Sequence, residues 1–160
     1  MAKADMFLKL VSSAGPILGE SNVPEHKDEI EIAEWSWGMS FPQALGGQGV
    51  MSKVAMAPLR FVKGVDRATA LTMSAMYKNA EIKEAKLTLR KAGTGTPVEY
   101  LVITGKKGRI VDHKVGNVAP GDPNTSETFL VVFKEIEVTY AGQATTGSAA
   151  AGNSFTASVE

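Results

Sequence analysis

The stretch "EIEIAEWSWGMS", Glu29 to Ser40, sets the tightest limit on what this chain can fold into. Ile30 and Ile32 alternate with Glu29, Glu31 and Ala33, the period of a half-buried strand; the phase then changes, and Trp35, Trp37 and Met39 become the large apolar set. Two later segments repeat the change. Ile82 gives way to Ala85, Leu87 and Leu89, and Phe129, Val131 and Phe133 give way to Ile136, Val138 and Tyr140. A phase change means that an extra residue is absorbed, and a β-bulge does this by bending the strand and re-aiming its side chains. Bulged, curved strands are what closes a sheet into a small barrel. Two accounts fit: a barrel corner, or burial on both faces, one against the core and one against a partner. The runs "YLVI" and "FLVVF" favour the second for some strands, because both of their faces carry large residues.

The rest of the chain supports a mainly β fold. "MFLKLV" at Met6 to Val11 reads as a first strand closed by the turn-prone "SSAGP". "QALGGQG", Gln43 to Gly49, is an uncharged loop, and "VMSKVAMAPLRFVKG" reads as an edge strand or extended arm because of Pro58. "EIKEAKLTLRKAG", "VEYLVIT", "RIVDHKVG" and "ETFLVVFKEIEVTYAG" follow as strands of a meander or barrel. The one helix expected is Asp66 to Asn79, with Asp66 as its cap, Asn79 as its stop and Ala68, Leu71, Ala75 and Met76 on its inner face. The expected architecture is a small closed β-barrel of two antiparallel sheets with one short α-helix alongside, in a single domain over 1–141. Residues 142–160, small, polar and almost uncharged, read as a flexible tail whose removal changes folding little.

Chemistry is sparse. With 17 basic and 17 acidic residues shared evenly between the two halves, the chain lacks the basic excess on which nucleic-acid binding rests. Absence of cysteine rules out disulfides, thiol nucleophiles and Cys-ligated metals. His26 lies in the charged run "EHKDE", which reads as a solvated turn, and His113 stands alone, so no metal or catalytic residue is assigned. "GDPNTSE" begins like a calcium loop but has Glu127 where the glycine belongs and Phe133 where the closing Glu belongs; an Asx turn is the better reading. "GKKGR", Gly105 to Arg109, reads as a hairpin tip with solvated charge, and the glycine runs lack the spacing of nucleotide-binding loops. No catalytic residue and no cofactor is expected. The N-terminus lacks a signal-peptide core and no apolar run approaches the ~20 residues of a membrane span. Synthesis in the cytoplasm and export without a cleaved signal are expected.

Several segments together resemble a known family. The order "DMFLKL", "HKDEIEIAEWSWG", "FVKGVDRATALTMSAMYKNAEIKEAKLTLRKAG", "EYLVI" and "ETFLVVFKEIEVTYAG" resembles the Hcp (haemolysin-coregulated protein) family, the tube proteins of bacterial type VI secretion systems, from about Asp5 to Tyr140. The resemblance implies hexameric rings stacked into a hollow tube, with the spike protein and sheath as partners and effectors in the lumen. It also implies that an extended loop, here Pro42 to Pro58, reaches neighbouring subunits, with Gln43, Leu45, Val50, Met51, Val54 and Met56 as interface candidates. Trp35, Trp37, Leu87, Leu89 and Phe133 are the expected barrel core. A head-to-tail ring needs two different patches per subunit, which accords with the two-faced strands. A monomeric β-barrel carrier holding a small apolar ligand among Trp35, Trp37 and Phe133 is the rival reading.

Overall fold

The computed structural model describes residues 5–41, 54–91, 97–143 and 149–159. The strands, in chain order, are β1 (Met6–Ser12), β2 (Gly15–Ile17), β3 (Ile30–Glu31), β4 (Glu34–Ser36), β5 (Met39–Ser40), β6 (Ala55–Met56), β7 (Leu59–Gly64), β8 (Ile82–Lys91), β9 (Val98–Asn117), β10 (Thr125–Gln143) and β11 (Ala149–Ser158), with helix α1 (Ala68–Tyr77) between β7 and β8. This is the mainly β, antiparallel architecture expected, with its single short helix. Nine strands form one sheet in the order β2-β1-β8-β9-β10-β7-β4, with β3 also on β1 and β11 also on β10; β5 and β6 form a separate ribbon.

The opening phase change is where the chain passes from one side of the structure to the other. Ile32 N donates to Met6 O on β1 at 3.0 Å, and the next amide, Ala33 N, donates to Val62 O on β7 at 2.8 Å. β3 pairs with β1 and β4 with β7, so this segment links along the chain the two margins of the strand order β1-β8-β9-β10-β7. Ile30 and Ile32 are buried on one side of the step. Trp35 and Trp37 are half-buried beyond it, packed against the core edge.

The other two phase changes lie on one line across three strands. Ile82 and Phe133 both stand opposite Gly108, while Glu84 and Glu135 both stand opposite Lys106. Between those pairs, Lys83 and Lys134 flank Lys107, whose φ is +57°. Each strand therefore turns two consecutive residues outward here, Lys83-Glu84, Lys106-Lys107 and Lys134-Glu135, and resumes its inward face on the far side. "GKKGR" is the middle of a 20-residue strand rather than a hairpin tip, and "VEYLVIT" and "RIVDHKVG" are two halves of that strand. The Phe133 ring fills the space above the glycines: a Cβ at Gly105 or at Gly108 would lie 2.6 Å from it.

Leu8, Leu10, Phe61, Ile82, Leu87, Ile103, Phe129 and Val131 fill the core. Helix α1 lies over its edge with Ala68, Thr69, Thr72 and Ala75 buried. Leu71, expected inside, is 50% exposed. Two threonines replace it because their hydroxyls are satisfied, Thr72 Oγ1 by Ala68 O at 2.8 Å and Thr69 Oγ1 by Glu127 at 2.6 Å, so neither carries an unpaired polar group inward. Asp66 Oδ1 caps the helix by accepting from Ala68 N at 2.9 Å, and Asn79, at φ +51°, ends it in the left-handed region that Asn tolerates.

The reading of 142–160 as a flexible tail does not describe Ala149–Ser158. This strand runs antiparallel to β10, Ser158 opposite Glu135 and Ala157 opposite Ile136, with Ala157 packed on the core. The physical reason is the edge of β10: beyond Phe133 it has no β7 beside it, and an uncharged strand supplies the missing backbone partners.

Candidate functional site

The ribbon β5–β6 pairs Met39 with Met56 and Ser40 with Ala55. Phe41, at its end, is 57% exposed and Val54 52% exposed. Next to them lies β11, and the two together wall a groove of about 850 Å³ lined by Met39, Ser40, Phe41, Val54, Met56, Phe155, Ala157, Ser158 and Val159. None of these residues carries a charge. In a chain with 21% charged residues, a recess this size without one is a surface suited to contact rather than to water.

Of the interface candidates, Val54 and Met56 line this groove, while Gln43, Leu45, Val50 and Met51 lie outside the described residues. Met56 is half-buried against the core, so it belongs to the fold as well as to the groove. Phe155 and Val159 escaped the sequence reading; a lone aromatic inside a polar, small-residue stretch was the available signal. Among the core candidates, Leu87 and Leu89 are buried, whereas Trp35, Trp37 and Phe133 are half-buried at the core margin. None of those three aromatics lines the groove.

Titratable groups cluster in two places. Glu127, fully buried, accepts from Lys63 Nζ at 2.6 Å, Thr69 Oγ1 at 2.6 Å and His113 Nε2 at 2.8 Å, and Lys63 also reaches Asp66 at 2.8 Å. Burial alone would push the Glu127 carboxyl up; the donors Lys63, Thr69 and His113 together outweigh it and hold it below the ordinary range. This network ties α1 to β7, β9 and β10. The second cluster corrects the reading of His26 as solvated: its side chain is buried, stacked on Phe7 at 4.7 Å, with Nδ1 3.0 Å from Glu29 and Nε2 2.8 Å from Glu99. Arg90 sits over Phe7 with its centre 5.0 Å from the ring. In both clusters the charged groups are engaged by their own partners. Among the described residues no three His, Asp or Glu side chains are grouped to hold a metal ion, and no helix is long and apolar enough to cross a membrane.

The model of the family described as "Type VI secretion system effector, Hcp" matches residues 7–140. The chain belongs to the Hcp family. Protein hcp1 of Pseudomonas aeruginosa is 35% identical over 146 residues, which cover 90% of this chain and 87% of that protein. Among solved structures, one described as a type six secretion system protein superposes with a TM-score of 0.85 at 22% identity, covering 98% of this chain and 96% of the other. Hcp1 from Salmonella typhimurium matches at a TM-score of 0.70 and 25% identity, over 95% of this chain and 92% of that one. A type VI secretion effector from Yersinia pestis matches at 0.74 and 23%, over 97% and 100%. This Hcp chain is thus a tube protein of type VI secretion by family, and its uncharged groove and ribbon are the parts of the fold to weigh for assembly.

Proposed function

We propose that this Hcp chain assembles into hexameric rings that stack into the hollow inner tube of a type VI secretion system, with effectors carried in the lumen. Spike and sheath proteins are its partners, and it leaves the cytoplasm through that system without a cleaved signal. The observation that carries the reading is the uncharged groove at the root of segment 42–53, with Phe41 and Val54 exposed beside it. A ring contact is heterologous and covers a different patch on each side, so large apolar residues left wet on the single chain find cover only when a copy docks. Segment 42–53 is uncharged but for Lys53, so its sequence brings little unpaired charge to a contact made beside the groove.

The test uses Phe41→Asp and Val54→Asp, both on exposed side chains, in preference to Met56, whose replacement would also disturb the core. Native mass measurement and negative-stain microscopy of the unmodified protein are expected to give annuli of six times the 16.9 kDa chain. Each variant is expected to keep its circular dichroism and unfolding temperature while running as a monomer. Rings that persist in both variants would move the contact elsewhere, and a wild-type monomer across micromolar concentrations would overturn the reading.

A further inference from the structure

The chain has no cysteine and seven methionines, so thioethers are its only sulfur groups. Their settings differ, and methionine oxidation follows exposure. Met6, Met56 and Met76 are half-buried against the core, where a dissolved oxidant reaches the sulfur poorly. Met39 is 51% exposed, and Met73 on α1 is 38% exposed. Met39 stands directly opposite Met56 in the β5–β6 ribbon, and both line the groove that holds no charge. Residues paired in this way have their Cβ atoms about 4.5–5.5 Å apart, so the two methionines form one continuous part of the wall.

An unbranched thioether suits such a wall because it is apolar, polarisable and adapts to irregular gaps. Oxidation reverses that character. When a peroxide attacks, the sulfur's electron pair forms an S–O bond as the O–O bond breaks; one oxygen stays on sulfur and the other leaves as water with both protons. The sulfur loses two electrons and the peroxide gains them, and a flexible apolar side chain becomes a polar one. The groove is poorly equipped for the new acceptor, since the only side-chain donors on its lining are the hydroxyls of Ser40 and Ser158. A surface that covers the groove strips water from the sulfoxide oxygen, and without a donor in exchange that burial opposes docking. Met39 is exposed and Met56 packs on the core, so at Met39 the change falls on the groove rather than on the fold.

We propose that Met39 is an oxidation site that gates self-association: a peroxide converts its thioether to the sulfoxide on the free chain, and the groove then no longer docks on a second copy. A thiol-dependent methionine sulfoxide reductase reverses the step; two thiols supply two electrons and two protons, the oxygen leaves as water and a disulfide forms on the reductase. The proposal rests on the groove being a contact between copies, as proposed above, and adds the regulation of that contact. Once a second copy covers the groove the sulfur is out of reach. The gate therefore acts on chains before they assemble and spares rings already formed.

The experiment treats the full-length protein with hydrogen peroxide, maps each methionine by peptide mass spectrometry and reads assembly by native mass. In the Phe41→Asp variant, Met39 is expected to gain an oxygen several-fold faster than in wild-type rings, while Met73 reacts equally in both. Wild-type chains oxidised while dilute and then concentrated are expected to associate at least about tenfold more weakly, with the Met39 sulfoxide depleted from the ring fraction. Reductase with dithiothreitol is expected to restore the rings. Met39→Leu keeps the volume and the apolar surface, so its rings are expected to survive the same treatment. Met39→Gln places a permanent amide in the wall and is expected to weaken association by a similar factor without oxidant, at unchanged circular dichroism and unfolding temperature. Rings that take up Met39 sulfoxide in proportion to its abundance would overturn this inference and leave ring assembly standing. Met39→Leu rings lost to peroxide as readily as those of the wild type would assign the effect to another methionine and overturn it equally. A sulfoxide form with a lowered unfolding temperature would make the loss a folding defect, with the same consequence. An untreated wild type that forms no rings would overturn both readings.

Discussion

Burying Glu127 removes a carboxylate from water, and three donors have to offset that cost. The side chain sits between Lys63, Thr69 and His113, with Asp66 completing the pairing of Lys63. Removing one partner of such a pair is far more costly than the pair is favourable, because the remaining charge stays buried. Glu127→Gln is therefore expected to lower stability by about 3 kcal/mol at neutral pH, since Asp66 still serves Lys63. The pH dependence follows from the same contacts. The carboxyl is held below its ordinary value of 4.5 in the folded protein, so its contribution is complete above that value and is lost as pH falls through the lower folded value. Unfolding followed by circular dichroism below pH 4.5 is expected to be steeper for the wild type than for Glu127→Gln, and parallel curves would contradict the assignment. Part of this was legible in the sequence. Lys63 is in phase with Leu59 and Phe61, and Glu127 with Phe129 and Val131, so each strand shows one charge of opposite sign on its inward face. That the two strands lie side by side, which turns two violations into a pair, is a property of the sheet order and not of either segment.

At the scale of elements, the phase changes were the informative signal, and their cause differs between the first and the other two. In Ile30–Ser36 the chain trades β1 for β7; in β8 and β10 the strands stay paired and bend together with β9. Alternation within one segment registers that a face has changed but not which neighbours change with it. Gly105 and Gly108 show the limit: glycines around two lysines describe a turn equally well, and only the Phe133 ring above them marks a bend inside a sheet. The packing gives a paired test. A Cβ at Gly105 meets only ring atoms of Phe133 among its nearest contacts, whereas one at Gly108 also meets Val132 O at 2.6 Å. Gly105→Ala is expected to destabilise by about 1–3 kcal/mol through overpacking and to regain much of that loss when combined with Phe133→Leu. Gly108→Ala is expected to remain destabilised in the same background, because a backbone oxygen cannot be trimmed. Equal rescue of both, read from denaturant midpoints, would show that the ring is not what constrains this bend.

For the whole molecule, the family and the mainly β architecture were readable because strand alternation, a single helix and the segments around Trp35 and Tyr140 extend over most of the chain; the end of the chain was not. Its composition, small and uncharged, describes a linker as well as it describes β11, because the pairing depends on what β10 lacks rather than on what 149–158 contains. β11 covers the outer edge of β10 from Glu135 onward, places Ala157 on the core beside Ile136 and walls the groove with Phe155 and Val159. Truncation after Gln143 would leave that half of β10 with an unpaired edge of backbone donors and acceptors and would remove one wall of the groove. Unpaired edges recruit other strands, so the shortened protein is expected to lose a few degrees of unfolding temperature, at about 2–4 °C per kcal/mol for a chain of this length, and to aggregate on concentration. Ring formation is expected to weaken beyond what the stability loss explains, because the uncharged recess is dismantled together with the strand. Unfolding temperature and native mass, measured on the same truncated sample, separate the two effects: unchanged values in both would return 149–158 to the role of a tail, while a lowered temperature with intact rings would keep β11 as a structural strand and take the groove out of assembly.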